Sequence, residues 1–267
     1  MRLAVLASGI FLRAFPVPIL VGFFWPVTAV AMPLPDCAGQ IEIAQAHVVR
    51  VDQGGALMLN DGRAIRLEGV RLPGVDRPSD PIAELARETL RELAMKAPLT
   101  LTSTPPRQDR YDRVRVLAFG DVWLQTELLK RGLARVMIAP DRQECSPDYY
   151  EAEAEARRAG RGLWRLPEFA VKRAESFSAP MGSYQLVEGQ IVNVATHDGR
   201  SFLDFSADYR KGFSATIAPE DRKAFRDSDL ALEDLAGHRI RLRGIVEGFG
   251  GRPEIALSNP RQIELLE

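Results

Sequence analysis

Three histidines and two cysteines are too few for a Cys/His metal cluster of the finger or ribbon type. No G-x-S-x-G elbow is present, and no serine has a histidine and acid suitably arranged. P-loop and G-x-G-x-x-G patterns are absent as well. Chemistry must then rest on arginines and carboxylates. Arg66 and Arg71 flank Glu68, with Asp52, Asp76 and Asp80 nearby in sequence. Arg107, Arg110, Arg113 and Arg115 crowd around Asp109. The planar fork of arginine suits phosphate and carboxylate, and carboxylate oxygens suit a hard cation. In a strand, Arg66 and Glu68 share one face. The plainer readings remain open: Arg66 paired with Glu68 or Asp109, Arg113 on a solvated hairpin, and the four acids as turn and surface residues.

The elements that must hold these residues are mainly β. Residues 46–59 (AHVVRVDQGGALML) alternate and turn at Gln53-Gly54-Gly55, a hairpin signal. Asn60-Asp61-Gly62 turns into the strand AIRLEGVRLPGV. Ser79-Asp80-Pro81 opens a helix through Lys96, with Ile82, Leu85, Ala86, Leu90 and Leu93 on one face. LTLTS is a short strand, and VRVLAFGDVWL a hairpin turning at Gly120-Asp121. Thr126–Arg131 is a short helix stopped by Gly132, and 147–160 a charged helix stopped by Gly160. Residues 165–183 are polar and contain Pro, Gly and Ser, as a linker does. Beyond them, 184–217 holds three strands and 219–236 a helix. HRIRLRGIVEGFG and RPEIALSNPRQIELL then close the chain. Three strands, a helix and two more strands is the order of an OB barrel, and the first half follows the same order.

The 267 residues are 46% hydrophobic and 27% charged, ordinary globular composition for one or two domains. A net charge of −1 argues against a strongly basic nucleic-acid binder driven by its field. Residues 1–31 carry Arg2 and Arg13, no acid, an uncharged apolar run and a closing Ala29-Val30-Ala31, the small–x–small form of a signal-peptidase site. The expectation is a cleaved signal peptide, a periplasmic or secreted protein, and no stable membrane span after cleavage. The alternative is an uncleaved anchor, interrupted by Pro16, Pro18 and Pro26. In an oxidising compartment Cys37 and Cys145, the only thiols, are expected to pair.

Residues 46–165 resemble the staphylococcal nuclease-like, or thermonuclease, family. The family's I-D-G-D-T turn appears as Val51-Asp52-Gln53-Gly54-Gly55, and its R-L-x-x-V/I-D-x-P-E strand as Arg66 to Gly74. D-x-Y-G-R appears as Asp109-Arg110-Tyr111-Asp112-Arg113, and L-V-x-x-G-L-A as Leu128 to Ala134. The closing G-L-W falls at Gly162-Leu163-Trp164. The resemblance implies an OB-type barrel and metal-assisted phosphodiester hydrolysis. In the family, aspartates hold a calcium ion, a glutamate activates water and two arginines hold the phosphate. Those arginines match Arg66 and Arg113. The metal aspartates fall at Gly54 and Arg71, the next ligand at Leu72 and the glutamate at Gly74. No cofactor is therefore expected, although the family uses calcium. Arg71, beside Arg66 and Arg113, adds a third cation to a candidate phosphate site.

The organisation expected is a signal peptide (1–31), a thermonuclease-like OB domain (32–164), a linker (165–183) and a second, smaller OB-like domain (184–267). Phe202, Phe205, Tyr209 and Phe213, interleaved with Arg210 and Lys211, could stack single-stranded bases there or fill a small core. Residues 180–267 carry a net charge of −3, which opposes the first use. The leading functional expectation is a catalytically impaired nuclease homologue that binds nucleic acid or another anionic ligand. The alternatives are an active metal-dependent nuclease with rearranged acids, and an envelope scaffold whose partners are proteins. Whether the chain is an enzyme stays open.

Overall fold

Short alternating runs separated by tight turns give strands of two to seven residues over most of the chain. A computed structural model describes residues 33–74, 80–109, 112–208, 212–249 and 251–266. The leader 1–31, Asp76, Arg110, Tyr111, Tyr209, Arg210 and Lys211 lie outside the described residues.

The first half contains β1 (Gln40–Ala46), β2 (Val48–Val51), β3 (Leu57–Leu59), β4 (Ala64–Leu67) and β5 (Val70–Arg71). Helix α1 (Pro81–Met95) follows, then β6 (Leu99–Ser103), β7 (Val114–Phe119), α2 (Leu124–Lys130), β8 (Arg135–Val136) and α3 (Ser146–Arg158). Six strands form one sheet in the order β1-β6-β7-β4-β3-β2, and β5 pairs with β8. The expected turn at 53–55 joins β2 to β3, where the Ala56 N–H donates to Asp52 Oδ1 at 2.8 Å. Pro81 starts α1, where its missing N–H costs nothing. Ala83, Ala86, Leu90 and Ala94 of α1 are buried. Strand β1 has no counterpart in the sequence reading, because its mixed polar pattern leaves mostly partly exposed side chains.

Two glycines fix how the helical end packs. Gly132 after α2 and Gly162 after α3 both take positive φ, 66° and 52°. A Cβ on Gly132 would lie 2.2 Å from Arg161 O, and one on Gly162 2.2 Å from Gly132 O. The Leu163 N–H donates to Gly132 O at 2.8 Å. The G-L-A and G-L-W motifs thus meet backbone to backbone. The expected Cys37–Cys145 disulfide is present, with Cα atoms 5.3 Å apart. It ties the start of the described chain to the start of α3. Closing a loop with a sequence separation of 108 stabilises by roughly 4–5 kcal/mol in the chain-entropy model.

The second half contains β9 (Lys172–Arg173), β10 (Tyr184–Gln190), β11 (Asn193–His197), β12 (Arg200–Asp204) and β13 (Ser214–Ile217). Helix α4 (Arg222–Arg226), β14 (Arg239–Phe249), β15 (Arg252–Ala256) and β16 (Ile263–Leu266) complete it. Its sheet runs β11-β12-β13-β15-β14-β10-β9, with β16 on β14. Residues 165–183 contain a 3-10 turn at Pro167–Phe169 and β9, which pairs in parallel with β10. Two local differences from the sequence reading have clear causes. The single strand expected from Gln185 splits where the N–H groups of Ile191 and Val192 turn to His238 O and Asp204 O. The helix expected over 219–236 is one short helix plus a 3-10 turn at Leu232–Leu235. Ser228 breaks it: its hydroxyl donates to Phe225 O and accepts the Leu230 N–H.

The architecture is mainly β with helices. One core gathers Leu57, Ile65, Leu101, Leu124 and Leu128; a second gathers Val187, Leu203, Phe213, Phe225 and Val246. Both belong to one compact unit. No helix among the described residues is long and apolar enough to cross a membrane.

Candidate functional site

Arg66 lies near the end of β4 and Arg113 immediately before β7, and these strands pair in parallel. The pairing brings both guanidinium groups to one carboxylate. Asp109 Oδ2 is 2.7 Å from Arg113 Nη2 and 3.8 Å from Arg66 Nη1. Arg113 Nε donates to the same oxygen at 2.9 Å, and its backbone N–H donates to Asp109 Oδ1 at 3.1 Å. The intervening turn is closed from the other side, where the Asp109 N–H donates to Arg113 O at 2.9 Å. Asp112 takes φ 58° to make that turn, a conformation aspartate tolerates better than most residues. The loop therefore clamps Arg113 through main chain and side chain together.

Electrostatics bind the cluster. Burial first, and then the charge of Arg113, pull the Arg66 guanidinium below its ordinary value, and the charge of Arg71 adds in the same sense. Two cations thus act on Arg66, opposed by the charges of Glu68 and of Asp109, whose side chain is 10% exposed. The Arg66 side chain is 40% exposed and opens to solvent. An incoming anion would relieve this repulsion while accepting fork-shaped hydrogen bonds.

Arg71 is built in differently. It is 9% exposed, on β5 opposite Arg135 on β8. Its guanidinium carbon lies 5.8 Å from the centroid of the Tyr184 ring, over which Arg135 also sits at 4.9 Å. Arg71 Nη1 is 3.9 Å from Met137 Sδ. Its charge reaches Arg66, while its side chain packs where the two halves of the chain meet.

The other acids have different work. Glu68 is half-buried and forms a 3.5 Å ion pair with Arg115, without hydrogen-bond alignment at the Arg115 Nε. Burial pushes its carboxyl up, and the charges of Arg115 and Arg142 partly oppose that. Arg115 in turn holds Asp141 in a two-pronged bond at 2.9 and 2.6 Å and donates to Pro106 O. Asp52 accepts within its own turn. Asp80 precedes α1, its carbonyl accepting from Ala83 and Glu84. Among the described residues no group of three or more His, Cys, Asp or Glu is placed to hold a metal ion. A calcium ion does not fit the family positions: Gly54 offers no side chain, Arg71 brings a positive charge, and only a main-chain carbonyl remains at Leu72.

Of the aromatics in the second half, Phe205 and Phe213 meet with tilted rings at 5.5 Å inside the core, and Phe177 closes on Phe213 at 4.9 Å. They are not an exposed base platform. Sequence reasoning missed Arg115–Asp141, Arg135 and Tyr184, because partners so distant in sequence leave no periodic trace. It had Asp109 as one of two candidate partners of Arg66.

A model of the staphylococcal nuclease homologue family matches residues 64–166. The match takes in Arg66, Arg71, Gly74 and Arg113. No curated protein matches the chain.

Proposed function

We propose that this protein is an exported nuclease homologue, acting in the periplasm or outside the cell, that binds nucleic acid or another anionic ligand and cleaves phosphodiesters poorly or not at all. The observation that carries the reading is the convergence of Arg66 and Arg113 on Asp109. A phosphate oxygen can take the outward prongs of both forks while Asp109 keeps them oriented. Fixed cations at such a point bind an anionic ground state. Hydrolysis also needs an activated water, and Gly74 supplies no base where the family places its glutamate.

The test is cleavage of labelled single- and double-stranded DNA and RNA by the purified protein, comparing calcium, other divalent ions and EDTA. An Arg66→Ala/Arg113→Ala variant is the control. The expected result is no metal-dependent cleavage, with salt-sensitive binding that the double variant loses. Metal-dependent cleavage lost in the variant would overturn the impaired-site reading and support an active enzyme with rearranged acids.

A further inference from the structure

One opening has walls from both halves of the chain. It is a cavity of about 330 Å³ lined by Leu72 and Gly74, by Arg135, Phe169 and Lys172, and by the stretch from Ser178 to Gln185. That volume falls at the lower end of the ligand-pocket range, roughly 300–1,000 Å³. Arg135 is held rigidly there, between the rings of Tyr184 at 4.9 Å and Phe169 at 5.0 Å. It also donates to Tyr184 O. Lys172 brings a second cation, fixed by a 2.7 Å bond to Pro167 O. The cavity is not purely basic, since Asp80 and Glu168 line it too. Gln185, 5% exposed, has a side-chain carbonyl oxygen with no hydrogen-bond partner among the described residues.

This mixture selects a ligand. Two cations call for an anion, whereas carboxylates and an amide oxygen call for N–H donors. Phe169 is half-buried, and its ring, faced by the Arg135 guanidinium at 5.0 Å, adds an aromatic side chain to the cavity wall. A nucleotide unites all three, because its phosphate is anionic, its base is flat and its exocyclic amine donates to carboxylate or amide oxygen. Arg71 links the places: its charge acts on Arg66, and it shares the Tyr184 ring with Arg135.

We propose that this cavity is a nucleotide subsite, taking a nucleoside monophosphate, free or at the end of a strand, with phosphate against Arg135 and Lys172 and base against Phe169. The inference extends the reading that the chain takes nucleic-acid anions at Arg66 and Arg113, and it can fail separately.

The test is calorimetric titration of the purified protein with adenosine monophosphate, cytidine monophosphate, adenosine and inorganic phosphate. Fluorescence binding of a labelled, 5′-phosphorylated oligonucleotide runs beside it. The nucleoside monophosphates should bind at least about tenfold more tightly than adenosine or phosphate alone. Phe169→Ala and Lys172→Glu, both at partly exposed positions, should each weaken them about tenfold, with melting temperature as the folding control. Arg66→Ala/Arg113→Ala should weaken the oligonucleotide, and in that background mononucleotide binding should still be lost with Phe169→Ala and Lys172→Glu. Competition between mononucleotide and oligonucleotide identifies a strand end as the natural occupant, and independent binding identifies the free nucleotide. No mononucleotide binding, or binding indifferent to Phe169→Ala and Lys172→Glu, overturns the subsite even if the oligonucleotide still depends on Arg66 and Arg113. Mononucleotide binding through Lys172 and Phe169, with an oligonucleotide indifferent to Arg66 and Arg113, upholds the subsite and overturns the proposed function.

Discussion

Arg243 and Glu153, ninety residues apart in sequence, meet at 2.9 Å with side chains that are both 1% exposed. Glu153 belongs to α3 of the nuclease-like half and Arg243 to β14 of the second sheet. Burial alone would lower the Arg243 guanidinium, but Glu153 and its other neighbours outweigh that and raise it. The same guanidinium donates to Val136 O at 3.3 Å, pairs with Glu264 and lies 4.4 Å from the centroid of the Tyr150 ring. Glu153 also accepts the Val136 N–H at 2.7 Å. Helix α3 and the second sheet are joined by a buried ionic knot.

Breaking one side of that knot removes the most buried partner of the remaining charge, leaving Arg243 only Glu264 or Glu153 only Arg157. Arg243→Ala or Glu153→Ala should each cost about 3–5 kcal/mol in urea unfolding. Arg243→Met combined with Glu153→Leu should recover most of that loss, because two apolar side chains carry no desolvation penalty. Single variants within about 1 kcal/mol of the parent would show the knot to be incidental.

Acid should attack the same junction. Burial raises the Glu264 carboxyl, but the charge and hydrogen bond of Arg243, followed by Arg241, outweigh it and hold the group below its ordinary value of 4.5. A carboxyl that binds its proton less readily when folded adds stability above about pH 4.5, and loses it as the pH falls through the lower folded value. Glu264→Gln should therefore be less stable than the parent at neutral pH, and the gap should narrow as pH falls below that point. Unfolding free energies measured at a series of pH values check this; a gap that widens in acid contradicts it.

Much of the first half was legible because its signals are local. Asp80-Pro81 and the apolar face of 82–93 mark α1, which runs Pro81–Met95. The five motifs fix the order of the elements around Arg66 and Arg113. The arginine pair was visible as residue types, but its geometry was not. Asp109 faces Arg113 through a tight turn, yet it faces Arg66 only through the β4–β7 pairing. The junction was less visible still. Arg71, Arg135 and Tyr184 come from three separate stretches, and the sequence offers Arg71 as a third phosphate cation where the structure packs it against Tyr184. The second half also lost accuracy wherever side chains capture backbone groups, as Ser228 does.

Arg71 now serves packing, which limits what reverting it can achieve. Arg71→Asp removes the contact with Tyr184 and puts a small acid into a junction shaped for an arginine. A loss of roughly 1–3 kcal/mol is expected in chemical denaturation. The variant should still not bind calcium, because Gly54, Leu72 and Gly74 supply no carboxylate. Calcium titration by calorimetry decides the second part, and tight binding by the single variant would show that the remaining acids can close a metal site.

Asp109 is at once the organiser of the arginine pair and a competitor for it. Asp109→Asn separates the two roles. The amide oxygen can still accept the backbone N–H of Arg113, so the turn should persist, but the negative charge beside both guanidinium groups is gone. Removing a partly exposed ion-pair partner changes the local balance by roughly 0.5–1 kcal/mol. Affinity for a single-stranded oligonucleotide should therefore rise about two- to fivefold at low salt. The gain should shrink as salt screens the added field. Arg66→Ala and Arg113→Ala should move affinity the opposite way. If the cluster were only a structural ion pair, Asp109→Asn would lower the melting temperature and leave binding unchanged. Binding isotherms at two or more salt concentrations, read beside a thermal melt of each variant, tell these outcomes apart.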